Sequence, residues 1–200
     1  PDVPGNILTL YGGASFKSMT SGTQGTDWNR EHLWPQSRGT SDEWAEGSNC
    51  DIAHNDVHHL FASDPALNNE RSNFPYDDCL GADCVAKGAG NRLRDGIDGV
   101  WEVRPQRRGD VARAIFYLDI RFEAGRHPSL PCEEPDLVLT AERALVNAQR
   151  TEQDVVYHMG MLPALLRWNV EDPVDDRERR RNDVVELAQG NRNPFIDDST

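Results

Sequence analysis

The strongest periodic signal lies in the second half of the chain. Val111, Ala114, Ile115, Leu118 and Phe122 recur at helical spacing behind Gly109 and Asp110, with Arg113, Asp119 and Arg121 off the apolar stripe. Leu162 to Trp168 and Arg177 to Ala188 predict two further helices, the second closed by Gly190 as a C-terminal cap. The first half is built differently. Leu8 to Tyr11 is apolar and runs into Gly12-Gly13, and Ser15 to Thr26 is small, polar and loop-like. Trp28 to Trp34 and Asp51 to Phe61 mix apolar and polar residues at short period, which predicts two strands joined by a polar connection from Ser37 to Asn49. Asp64 directly before Pro65 is a helix-start signal and predicts a short helix from Pro65 to Ser72. The pattern as a whole predicts one α+β domain over residues 1–200, with a strand, strand, helix unit in front and helices behind.

Composition narrows the function classes. The 200 residues hold 34 acidic and 21 basic side chains, a net charge of −13. No apolar run approaches the ~18 to 20 residues of a membrane helix, so no membrane partner is expected, and the aromatic residues supply anchors for a packed core. Only Lys17 and Lys87 are lysines, so local arginine clusters matter more than the total charge. Cys50, Cys79, Cys84 and Cys132 form an even set without a CxxC, which favours disulfides over a zinc ribbon. Cys79 and Cys84 make a plausible short bridge, which would leave Cys50 with Cys132. Paired cysteines imply an oxidising, extracytoplasmic compartment.

Three segments carry candidate chemistry. In Asn29-Arg30-Glu31-His32-Leu33-Trp34-Pro35 a carboxylate adjoins an imidazole, a pair able to hold a hard cation and deprotonate water, although neighbours on a regular strand face opposite ways. Pro35 permits the necessary break. In His54-Asn55-Asp56-Val57-His58-His59-Leu60, an extended chain puts His54, Asp56 and His58 on one face. Helical winding would instead set His54 and His58 at the spacing of two zinc ligands, but that motif requires Glu where Asn55 stands, so the strand is preferred. At least one of His58 and His59 is expected to be a buried, hydrogen-bonded residue. The third segment, Asn68 to Phe74, offers neutral oxygens suited to Mg²⁺.

Taken in order, Asn-Arg-Glu-His-x-Trp-Pro-Gln-Ser, Asp-x-His-His-Leu and Asn-x-x-Arg-Ser-Asn resemble the bacterial endonuclease I family of secreted and periplasmic nucleases, and Gln189 to Asp197 is similar to the family's ending. The resemblance implies a ββα-metal finger. It implies His32 as general base, Glu31 and Asn68 as metal ligands, and Asp56, His58 and His59 as supports on the second strand. Arg71 and Asn73 are matched to the motif after the metal-bearing helix, where they could contact phosphate. Arg38 is the candidate for the phosphate-clamping arginine, and Ala62 stands where the family pattern has Pro. The implied cofactor is Mg²⁺, with Mn²⁺ or Ca²⁺ as substitutes, and the implied products carry 5′-phosphates.

The chemistry is consistent with that assignment. A water attacking a phosphodiester needs a base that is neutral near pH 7, and imidazole with its ordinary pKa of ~6.5 qualifies. A site that grips backbone phosphates reads little sequence. Arg104, Arg107 and Arg108 beside Trp101 form a candidate nucleic-acid strip, whereas Arg177, Arg179, Arg180 and Arg181 interleave with acids and read as a solvated helix face. The expectation is a monomeric, secreted or periplasmic endonuclease on DNA, with RNA as a second substrate. Its rivals are a zinc hydrolase using His54 and His58 and a non-catalytic nucleic-acid-binding module.

Overall fold

A computed structural model describes residues 3–17, 27–40, 52–148 and 156–198. It is a mixed α+β arrangement of small sheets and short helices around one long buried helix. Strands β1 (Asn6–Leu8) and β2 (Ser15–Lys17) pair antiparallel, so part of the stretch expected as loop is extended. Strand β3 (Asn29–His32) is followed by helix α1 (Ile52–Asn55), a 3-10 turn at Val57–His59, strand β4 (Leu60–Ser63) and helix α2 (Pro65–Arg71). β3 and β4 are antiparallel, with Glu31 opposite Phe61 and His32 opposite Leu60.

Strands β5 (Val85–Ala86), β6 (Arg92–Arg94) and β7 (Val100–Glu102) form an antiparallel sheet. Helix α3 (Arg108–Arg121) leads into β8 (Glu123–Arg126) and β9 (Glu133–Leu139); after α4 (Arg143–Asn147), β10 (Val156–Met159) joins β9 in parallel, in the order β10-β9-β8. Helices α5 (Leu162–Glu171), α6 (Asp176–Gln189) and α7 (Pro194–Asp197) complete the chain.

The predicted apolar stripe of α3 is buried throughout, from Gly109 to Leu118, against α5, α7 and β9. Arg113, which falls off that stripe, is nevertheless wholly buried. Its Nε donates to Glu178 Oε1 at 2.8 Å, and its other nitrogens reach Glu178, Asn169 and the carbonyl of Asp172. A charge can sit in the core only when its donors are satisfied in this way. Gly109 is demanded by the same junction, since a Cβ there would lie 1.8 Å from the Asp172 carbonyl. Trp34, Trp101 and Trp168 are fully buried, each removing a large apolar surface from water at about 25 cal/mol per Å².

Several local expectations are corrected. The second strand begins at Leu60, not in the histidine-rich segment. There Asp56 accepts from the His58 amide at 2.9 Å and caps the 3-10 turn, which winds the chain instead of extending it. Arg181, expected on a solvated face, is half-buried: it donates to the carbonyls of Val57 and Leu60 and lies 4.2 Å over the Phe61 ring. Gly190 does close α6 in the left-handed conformation, φ 90°. Cys79 and Cys84 are bridged, with Cα atoms 5.6 Å apart. Cys132 is disulfide-bonded too, while Cys50, its expected partner, lies outside the described residues, as does most of the predicted 37–49 connection.

Candidate active site

β3, β4 and α2 bring Glu31, His32 and Asn68 to the wall of one cleft of about 370 Å³, shared with Arg30, Ser37, Arg71 and Asn73. The local sequence explains the placement. Pro65 starts α2 directly after β4, so the helix folds back across the strand pair. The Asp64 carboxylate does not cap α2; it accepts from the Gly12 amide at 3.0 Å and pins the β1–β2 turn instead. Strand alternation sends Glu31 inward and leaves Arg30 and His32 on the open face, matching their burial along β3.

Glu31 is 2 % exposed. Its Oε1 accepts from the Tyr11 hydroxyl at 2.7 Å and meets Arg71 Nη1 at 3.0 Å. Tyr11 in turn shares a 2.8 Å hydrogen bond with Tyr76, whose ring lies 4.6 Å beneath the Arg71 guanidinium. Burial pushes the Glu31 carboxyl up to about 7, against the opposing pull of Arg71 and the Tyr11 hydroxyl. Among the described residues nothing hydrogen-bonds its second oxygen.

His32 Nε2 lies 3.1 Å from the backbone carbonyl of His54. A carbonyl only accepts, so Nε2 carries the proton and Nδ1 keeps its lone pair. The ring is fixed from both sides, 4.5 Å from the His54 ring and 5.4 Å from that of His59. Burial, helped by the neighbouring His54, lowers its pKa to about 4, so the imidazole is neutral at physiological pH.

Asn68 Nδ2 donates to Asn29 Oδ1 at 2.9 Å and to the Arg30 carbonyl at 3.2 Å. Because the second partner is a backbone acceptor, the amide cannot be turned around, and its carbonyl oxygen is the atom left over. A buried carboxylate oxygen and a neutral amide oxygen on one polar wall suit a hard cation that keeps several waters.

The remaining expected residues divide by surroundings. Arg71 is buried, and its guanidinium serves Glu31 and the carbonyls of His32, Leu33 and Ser72. Asn73 lines the cleft and donates to Ser37 at 3.1 Å. Arg38 is turned away from the cleft wall, donating to the carbonyls of Asn73, Val146 and His158. His58 and His59 are both buried, with Nε2 bonded to the carbonyls of Asn191 and Ala53. Asp56 is buried and accepts from Tyr117 at 2.7 Å and Gln189 at 3.0 Å. Of the basic strip, Arg107 is paired with Asp110 at 2.8 Å and Arg108 with Glu102 and Glu171. Arg104, half-buried, has no acceptor for its guanidinium among the described residues. Among those residues, too, no group of three or more His, Cys, Asp and Glu is placed to hold a metal ion, and the rings of His54 and His58 are bonded separately to the carbonyls of Thr40 and Asn191.

Sequence reasoning missed Tyr11, Tyr76 and Tyr117. The signal available was that a buried phenol needs a hydrogen-bond partner, but nothing local says which carboxylate it will meet. The C-terminal motif acts as a lock: Gln189 and Asn191 tie α6 to Asp56, Val57 and Tyr117, and Asn193 donates to the Arg113 carbonyl.

This chain belongs to the Endonuclease I family, whose sequence model matches residues 4–200. It is 38% identical over 198 residues to a protein of Bacillus amyloliquefaciens named extracellular ribonuclease, and 39% identical over the same length to its namesake in Bacillus subtilis (strain 168). The match takes in 98% of this chain but only 60% of each relative.

Proposed function

We propose that the chain is a secreted, divalent-metal-dependent nuclease that cleaves phosphodiester bonds of DNA and RNA with little sequence preference, and that β3, β4 and α2 are its ββα-metal finger. The observation that carries this reading is the His32–His54 carbonyl hydrogen bond beside Glu31 and Asn68, because it leaves a lone pair on an immobilised neutral imidazole next to two oxygen donors.

In the proposed reaction a water oxygen attacks phosphorus while its proton passes to Nδ1 of His32. The new P–O bond forms, the P–O3′ bond breaks, and the electron pair goes to the 3′ oxygen, which takes a proton from solvent. The products carry a 5′-phosphate and a 3′-hydroxyl. A substrate phosphate beside the ring adds negative charge, which opposes the lowering that burial imposes on His32. Glu31 and Asn68 would hold Mg²⁺, which when bound supplies positive charge for the phosphate and the leaving oxygen. Tyr11 and Arg71 orient Glu31, and Asp56 with His58 and His59 braces the turn that delivers β4.

Membership of the family and the names of the two relatives support nuclease chemistry and secretion, and no helix among the described residues is long and apolar enough to cross a membrane. The reading is tested by digesting supercoiled plasmid and RNA side by side in EDTA and with Mg²⁺, Mn²⁺, Ca²⁺ or Zn²⁺ added back, with analysis of the product ends. Cleavage restored by Mg²⁺ or Mn²⁺ with 5′-phosphate ends is expected. Activity undiminished in EDTA, or restored by Zn²⁺ alone, contradicts it.

A further inference from the structure

Three arginines stand in or near the cleft, and their surroundings separate them. Arg71 is buried and its guanidinium is committed to Glu31 and three backbone carbonyls. Arg38 is committed to the carbonyls of Asn73, Val146 and His158. Arg30 is different. It is exposed on the open face of β3 two residues before His32, it lines the same cleft as Glu31, His32 and Asn68, and its backbone pairs with Ala62 and accepts from Asn68. Among the described residues its guanidinium has neither a carboxylate nor a carbonyl partner.

We infer that Arg30 is the residue that grips the scissile phosphate, its guanidinium donating to a non-bridging oxygen of the diester while His32 addresses the attacking water. The assignment rests on the nuclease reading above. The chemistry favours it: a phosphodiester presents paired anionic oxygens that a guanidinium fork can match. The hydrogen bond from Asn68 to the Arg30 carbonyl couples the two contacts, because the residue that would hold the cation also fixes the strand from which the arginine projects.

The test compares wild type, Arg30→Ala and Arg30→Lys on a small chromogenic diester, bis-p-nitrophenyl phosphate, and on plasmid DNA, alongside binding of a fluorescent single-stranded oligonucleotide in EDTA. A fall in kcat/KM of about 10²- to 10³-fold for Arg30→Ala on both substrates, partial recovery in Arg30→Lys, weaker oligonucleotide binding and an unchanged urea midpoint support the assignment. If wild type cleaves and Arg30→Ala stays within a few-fold on the small diester, Arg30 does not touch the scissile group and the inference is overturned, while the nuclease reading survives. If wild type cleaves nothing yet binds the oligonucleotide through Arg30, the nuclease reading fails and the phosphate contact stands. Neither cleavage nor Arg30-dependent binding overturns both.

Discussion

His32 and His54 are joined through a side-chain nitrogen and a backbone oxygen, 3.1 Å apart, so the ring of one residue is oriented by the main chain of the other. A substitution at position 54 therefore leaves the orienting carbonyl in place and removes the neighbouring ring together with that ring's own hydrogen bond to the Thr40 carbonyl. His54→Ala is expected to lower cleavage far less than His32→Ala, which should cost about 10²- to 10⁴-fold as the loss of a general base. Steady-state rates for both variants, with circular dichroism to confirm folding, check the ordering.

The Tyr11 hydroxyl is the link between the core and the carboxylate of the site. Tyr11→Phe removes one donor from Glu31 and leaves the Tyr76 hydroxyl short of a partner in a dry interior. A stability loss of about 1 to 3 kcal/mol is expected, read from urea unfolding; an unchanged midpoint would show that the network contributes nothing.

Arg113 and Glu178 are a buried pair joining α3 to α6. Removing one partner strands the other charge, so Glu178→Ala should cost about 3 to 5 kcal/mol. The exposed pair of Arg192 with Glu186 provides the contrast, and Glu186→Ala should leave the urea midpoint nearly unchanged.

Acid should destabilise the fold through its histidines. His59 is wholly buried and its pKa is lowered to about 3, chiefly by burial, and that of His32 to about 4. In the unfolded chain both return to ~6.5. Below that value the unfolded state binds protons that the folded state refuses, so stability present above pH 6.5 is lost as the pH falls toward 3. His59→Gln, which can still donate to the Ala53 carbonyl, should show a shallower loss between pH 6.5 and 4.5 than wild type in parallel urea titrations.

Arginines already paired within the protein should contribute little to binding a polyanion. Arg104→Ala is expected to weaken binding of long nucleic acid and to lower the slope of log K against log salt by about one phosphate contact. Arg108→Ala, whose guanidinium is held by Glu102 and Glu171, should leave that slope unchanged.

How much of this was legible beforehand depends on how local the cause is. The helix from Arg108 to Arg121 follows from an apolar stripe, and the start of α2 from the Asp64-Pro65 step, because periodicity and a fixed proline φ act within a few residues. Alternation of residue types predicts a strand from His54 to His59, but a single side chain, that of Asp56, satisfies the amide of His58 and turns the chain, and alternation does not register such a bond. The pairing of Glu31 with Tyr11 and Arg71, the burial of Arg113 and the diversion of Arg38 onto backbone carbonyls are contacts across 20 to 120 positions, set by packing and not by any local motif. The order of Glu31, His32 and Asn68 along the chain marks them as candidates, and the cleft they line together is a property of the folded molecule.

In the proposed division of labour His32 moves the proton and Glu31 with Asn68 holds the cation. Mn²⁺ binding followed by electron paramagnetic resonance, measured together with plasmid cleavage in wild type, His32→Ala and Asn68→Ala, separates the two roles. His32→Ala is expected to bind Mn²⁺ as wild type does yet cleave at least about 10²-fold more slowly, and Asn68→Ala to lose Mn²⁺ affinity. Wild-type cleavage by His32→Ala, or unaltered Mn²⁺ binding by Asn68→Ala, would contradict that division.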